Sequence, residues 1–176
     1  MGYSQNSLTS YIYEMALGRS SWDSILDVLS AAFPNSLIFV TGHDLVRHTS
    51  LVFAQRGLSP AAVQTYLSTY ADQNPWLDGQ AELAPFQIYH DDQLLPREDA
   101  AKTTFYRDWL SRQGDYAAAT GVVVLREGAR QMAIEIRYSP KDLERRERAA
   151  AALGEAAYHF GRAFEILRRS RFSIGP

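Results

Sequence analysis

The chain has 176 residues, a length that suits one domain and is short for two. A hydrophobic share of 46% excludes a disordered chain, and a net charge of −2 lacks the basic excess that wrapping a nucleic acid requires. The absence of cysteine excludes disulfides, thiolate metal sites and cysteine nucleophiles, and it fits a reducing cytoplasm, the expected location.

Residues 1–10 are polar and lack the charged-then-apolar layout of a secretion signal. Leu8, Tyr11, Ile12 and Met15 recur at helical spacing, with Gly18 placed to end that helix. Ser20 with Asp23 resembles a capping box, after which Trp22, Ile25, Leu26, Leu29 and Phe33 trace an apolar face closed by Pro34. Residues 36–41 form a compact β-rich run and 42–47 a polar loop. Residues 49–55 read as the partner strand, ending at Arg56-Gly57.

Ser59-Pro60 signals a helix start, and Val63, Tyr66, Leu67 and Tyr70 form its buried stripe. Asn74-Pro75 restarts a helix in the same way, carrying Trp76, Leu77 and Leu83. Residues 85–89 read as a short strand and 90–97 as a polar, acidic loop. Phe105, Tyr106, Trp109 and Leu110 then sit on a helix that stops at Gly114.

Residues 118–126 and 131–138 are two strands joined by a tight turn at Glu127-Gly128. In the second, Met132, Ile134, Ile136 and Tyr138 alternate with Gln131, Glu135 and Arg137, the pattern of one buried and one wet face. The first is apolar on both faces through Val122, Val123, Val124 and Leu125, as a central strand is. Ser139-Pro140 caps a long terminal helix over 140–170, where Leu153, Ala157, Phe160, Phe164 and Leu167 follow a heptad-like spacing. No apolar run approaches the roughly 18 residues of a membrane helix, so a soluble protein is expected. Without an internal repeat or a linker, residues 1–176 read as one domain.

This order predicts an α+β fold: an antiparallel sheet of about five strands with helices on both faces and a long C-terminal helix. The middle helices lie over one face and leave a cavity; the first and last cover the other.

The stretch 105–114, FYRDWLSRQG, is the most distinctive part of the chain. Together with Tyr66-x-x-x-Tyr70, Asn74-Pro75-Trp76-Leu77 and the valine-rich closing hairpin, it resembles the N-terminal regulatory domain of LuxR-type bacterial transcription regulators. The resemblance implies a GAF/PAS-like fold and an autoinducer-binding-like sensor that reads a small, partly apolar signal. Receptors of that family for acyl-homoserine lactones carry an aspartate immediately before a proline, where it accepts the ligand's amide hydrogen. Asn74 offers an amide there, which argues against a lactone. The family's helix-turn-helix does not follow before Pro176, so contact with DNA is expected only through a module absent from this sequence.

Four histidines (His43, His48, His90, His159) show no metal-ligand spacing, and His43 and His48 read as solvent-facing loop residues. His90-Asp91-Asp92 fits no calcium loop and reads as solvated. There is no nucleophile elbow, phosphate loop or dinucleotide fingerprint, so the expectation is no catalytic residue, no metal, no cofactor and no enzyme. The ligand-pocket candidates are Phe39, Tyr66, Tyr70, Trp76 and Trp109, with Asn74 as a further polar group, because pockets are mostly apolar with a few directed polar groups. Leu153, Ala157, Phe160, Phe164 and Leu167 are dimer-seam candidates, part packing on the sheet and part pairing with a second copy. Arg168, Arg169 and Arg171 make a small basic tail. The other reading is a ligand-free dimerisation module that fills the cavity with its own aromatics.

Overall fold

Two helices open the chain, α1 (Gln5–Ala16) and α2 (Trp22–Ala32), followed by the hairpin of β1 (Leu37–Asp44) and β2 (Thr49–Arg56). The structure, a computed structural model, describes residues 5–172, and for residues 5–7, 51–53 and 168–172 the backbone alone. The basic tail residues Arg168, Arg169 and Arg171 therefore lie outside the described side chains. Helix α3 (Pro60–Thr65) runs on into a π-helical turn (Tyr66–Tyr70) and a 3-10 turn (Ala71–Gln73). Next come α4 (Leu77–Ala81), β3 (Ile88–His90), α5 (Asp91–Leu94) and α6 (Arg97–Ala100). A second π-helical turn (Phe105–Trp109) tightens into a 3-10 turn (Leu110–Gln113) before β4 (Ala118–Glu127), β5 (Arg130–Tyr138) and α7 (Leu143–Phe172).

The five strands form one antiparallel sheet in the order β2-β1-β5-β4-β3. On its first face Ile38, Val40, Val122, Val124, Ile134 and Ile136 meet α1, α2 and α7 in one aliphatic core. Leu8, Ile12 and Met15 from α1 and Ile25, Leu26 and Leu29 from α2 fall at helical spacing, so each helix turns one stripe inward. Leu153, Ala157 and Phe160 of α7 are fully covered by the same core, with Phe164 and Leu167 partly buried beside it. Trp22 stacks on Phe160 at 5.8 Å. The second face is covered by the helices between residues 60 and 113.

Local chemistry moves several predicted boundaries. Ser21, not Ser20, caps α2, its hydroxyl accepting the Asp23 N–H at 3.2 Å. Ser59 caps α3 with Pro60 in the first turn, as predicted. The β4–β5 turn is Gly128-Ala129, one residue later than expected, and Gly128 supplies the positive φ of 57°. Ser139-Pro140 makes a turn, while Asp142 caps α7 by accepting the Arg145 N–H at 3.1 Å. Residues 90–97 are not a loop: they hold α5 and the start of α6. The largest correction concerns β5, whose Gln131, Glu135 and Arg137 are 3%, 5% and 2% exposed, and so not wet at all.

Candidate functional site

The second face is organised by one rung, Phe39–Glu135–Gly121–Tyr89, running across β1, β5, β4 and β3. Gly121 is required by what crosses it: a Cβ there would lie 2.4 Å from the Tyr89 hydroxyl. The bare backbone lets the Tyr89 ring pass over β4 and donate its hydroxyl hydrogen to Glu135 Oε1 at 2.8 Å. Gln80, from α4, donates from Nε2 to the same carboxylate oxygen at 2.9 Å and lies 2.8 Å from Tyr89 Oη. Gln131 Nε2 in turn reaches Gln80 Oε1 at 3.4 Å, and Arg126 Nη2 donates to the Gln80 carbonyl at 2.8 Å. These bonds tether α4 to the sheet.

Arg137 lies next along β5, its guanidinium 4.1 Å beneath the Trp76 ring. Its Nε is 3.5 Å from Glu135 Oε2, its Nη1 3.9 Å from Asp91 Oδ2, and Nη1 donates to the Tyr116 carbonyl at 3.3 Å. Burial pushes the Asp91 carboxyl above its usual range, opposed by the charge of Arg137. Burial, reinforced by the Glu135 charge, raises the Tyr89 phenol well above its ordinary value, which keeps it a hydrogen donor. The Tyr66 phenol is raised for the same reasons.

Above this polar floor lies an aromatic roof. The two π-helical turns bring Tyr66, Tyr70, Phe105 and Trp109 together: Tyr66 to Trp109 is 5.0 Å between ring centres, and Phe105 to Trp109 is 5.1 Å. Trp76 meets Phe105 edge-on at 6.0 Å, and Tyr70 does so at 6.3 Å. The Trp109 indole donates to the Ala62 carbonyl at 3.1 Å. Trp76 Nε1 and Arg137 Nη2, by contrast, are buried without a hydrogen-bond partner among the described residues. Such orphaned donors are uncommon, and π-helical turns cluster at functional sites.

At the turn end of the β1–β2 hairpin is a cleft of about 380 Å3, lined among others by His43, Asp44, Asp72, Asn74 and Asp78. Asp44 Oδ1 accepts the Val46 and Arg47 N–H groups at 3.2 and 3.0 Å, and these bonds, Arg47's first, hold its carboxyl below the usual range. Asn74 Oδ1 accepts the Trp76 N–H at 3.1 Å, so its side chain fixes the entry to α4. His43 is 3% exposed, against the expectation of a solvent-facing loop residue, because β1 extends to Asp44. Its Nε2 has no partner among the described residues, and burial lowers its pKa from 6.5.

Of the predicted pocket residues, Phe39, Tyr66, Trp76 and Trp109 are buried in one cluster with Tyr70 at its edge, and Asn74 stands apart in the cleft wall. Sequence reasoning missed Gln80, Tyr89, Asp91, Gln131, Glu135 and Arg137. A signal was available: a strand in a sheet covered by helices on both sides has no wet face, so polar side chains on it must find partners inside. Asp91 was misplaced with the loop that is in fact α5. Among the described residues, no three His, Cys, Asp or Glu side chains converge to hold a metal ion, and no helix is long and apolar enough to cross a membrane.

No protein-family model matches this sequence, and no curated protein does. The crystal structure of the VqsR LBD domain from Pseudomonas aeruginosa superposes with a TM-score of 0.56 at 13% identity. The match covers 88% of this chain and 94% of that one. The two share a fold. At this identity the likeness speaks for architecture alone.

Proposed function

We propose that this chain is the regulatory sensor domain of a LuxR-type transcription regulator, GAF/PAS-like in fold, reading a small, partly apolar signal. The signal sits between the second sheet face and the middle helices, against Phe39, Tyr66, Tyr70, Trp76 and Trp109. The observation that carries this reading is the pair of orphaned donors, Trp76 Nε1 and Arg137 Nη2, buried beside an aromatic cluster. A ligand carbonyl or similar acceptor would satisfy them, and the shared fold with an LBD domain supports the assignment. Ligand binding would bias the arrangement of α4 and the π-helical turns. α7, packed on the opposite face, would carry that bias to a DNA-binding module and to a second copy. The last turns of α7 suit such pairing: Phe164 and Leu167 are half-buried, Ile166 is exposed, and Tyr158 upstream is 59% exposed. No group in this arrangement is assigned a catalytic role.

A second reading is favoured by the direct ring contacts in the roof: a ligand-free dimerisation module whose aromatics fill the cavity. Mass spectrometry of small molecules released on denaturing the purified protein separates the two. The sensor reading expects a recurrent compound at near-stoichiometric yield, lost in Trp76→Phe, which keeps an aromatic ring and deletes the indole N–H. An empty extract, with unchanged thermal stability across a metabolite panel, overturns it in favour of the module.

A further inference from the structure

We propose that the cleft at the turn end of the β1–β2 hairpin binds a small organic cation carrying an ammonium or guanidinium group. This site is separate from the aromatic compartment and does not depend on the sensor reading. Three carboxylates line the cleft (Asp44, Asp72 and Asp78), and among the described residues no lysine or arginine does. Asp44 is already engaged by its own loop and by Arg130, whose Nε is 3.6 Å from Oδ2. Asp72 and Asp78 are exposed and make no hydrogen bond or ion pair within the described residues, so their two charges face the cleft uncompensated. They flank Asn74-Pro75, the bend that enters α4.

Carboxylates alone would be an ordinary solvated surface. The second observation is His43, on the cleft wall, whose buried Nε2 has no partner among the described residues. With the ring proton on Nδ1, Nε2 presents a lone pair and accepts an N–H. Burial favours the neutral ring that this requires. A cation with several N–H donors can therefore meet a carboxylate at the rim and a neutral acceptor on the wall. Pro75, Leu77 and Ala81 line the same space and suit a short methylene stem. The acidic groups do not converge as metal ligands do, which favours an extended organic cation over a metal ion. The volume of about 380 Å3 is small-molecule size.

Isothermal titration with 1,4-diaminobutane and n-butylguanidinium, in about 150 mM salt to screen diffuse attraction, tests this directly. Saturable binding of at least one cation is expected, with none for the neutral butane-1,4-diol. Asp72→Asn/Asp78→Asn is expected to weaken binding at least about tenfold, since hydrogen bonds to charged groups are lost. His43→Phe weakens it further. Glu144→Gln/Glu147→Gln removes the same number of charges from α7 and is expected to leave it unchanged. Absence of saturation below about 10 mM for both cations, or equal weakening in the α7 variant, overturns the proposal. Loss of the released compound in the Trp76→Phe experiment bears on the aromatic compartment alone, so the two proposals fail separately.

Discussion

The two faces of this sheet are built by different rules. On the face covered by α1, α2 and α7, aliphatic side chains interdigitate, and the stability comes from area removed from water, at about 25 cal/mol per Å2. On the other face β5 presents Gln131, Glu135 and Arg137, and the covering segments are short helices and π-helical turns. That face is closed by directed contacts: a shared carboxylate, a guanidinium under an indole, a tyrosine crossing a glycine. Non-directional packing tolerates volume-conserving change, whereas a buried polar network fails when one member is lost. The first face secures the fold, and the second holds groups in position at a cost in stability.

Substitutions can break that contrast. The largest effect is expected from Arg137→Met, which leaves Glu135 and Asp91 buried without their cation. It should lower unfolding free energy by about 3–5 kcal/mol in urea titrations. Adding Glu135→Gln should recover part of the loss. A cost below about 1 kcal/mol would mean that the network is looser than the distances imply. Gly121→Ala is expected to cost about 1–3 kcal/mol, because the new methyl collides with the Tyr89 ring. In a Tyr89→Ala background the same change should cost much less, with only Glu135 Cγ left close at 3.0 Å, and equal costs in both backgrounds would exclude the collision with Tyr89 as the cause. The smallest effect concerns pH. His43 is held below 6.5 chiefly by burial, so just below pH 6.5 the unfolded chain binds more protons than the folded one. Stability should therefore rise with pH through that window and fall away on acidification. His43→Gln should flatten the slope in urea titrations between about pH 5 and 7.5, leaving the contribution of His90, which is lowered in the same direction.

Much of the architecture was legible, because it is written in periodicity. The apolar stripes at Leu8–Met15 and Trp22–Leu29, the two hairpins and the seam of α7 follow from spacing, and the sorting of helices onto opposite faces follows from the order of the elements. The site was legible only in part. Phe39, Tyr66, Trp76 and Trp109 do come together, but Glu135 and Arg137 looked solvated, since a polar residue at every second position has the same pattern whether water or a helix lies above it. The π-helical turns were hidden for a related reason. Phe105, Tyr106, Trp109 and Leu110 fit an α-helical stripe equally well over so short a span. Gln80 carried no signal, because its role depends on partners nine and fifty-five positions away.

Gly121 and Tyr89 also bear on how such a sequence can drift. A side chain at 121 is admissible only after Tyr89 has gone, and a tyrosine at 89 reaches Glu135 only while 121 remains bare. Neither position can be exchanged first without loss, so among descendants of this chain the two should be inherited as a unit. Divergence at one should mark lineages in which Glu135 has changed as well. That correlated triplet would be visible in any set of relatives deep enough to count it.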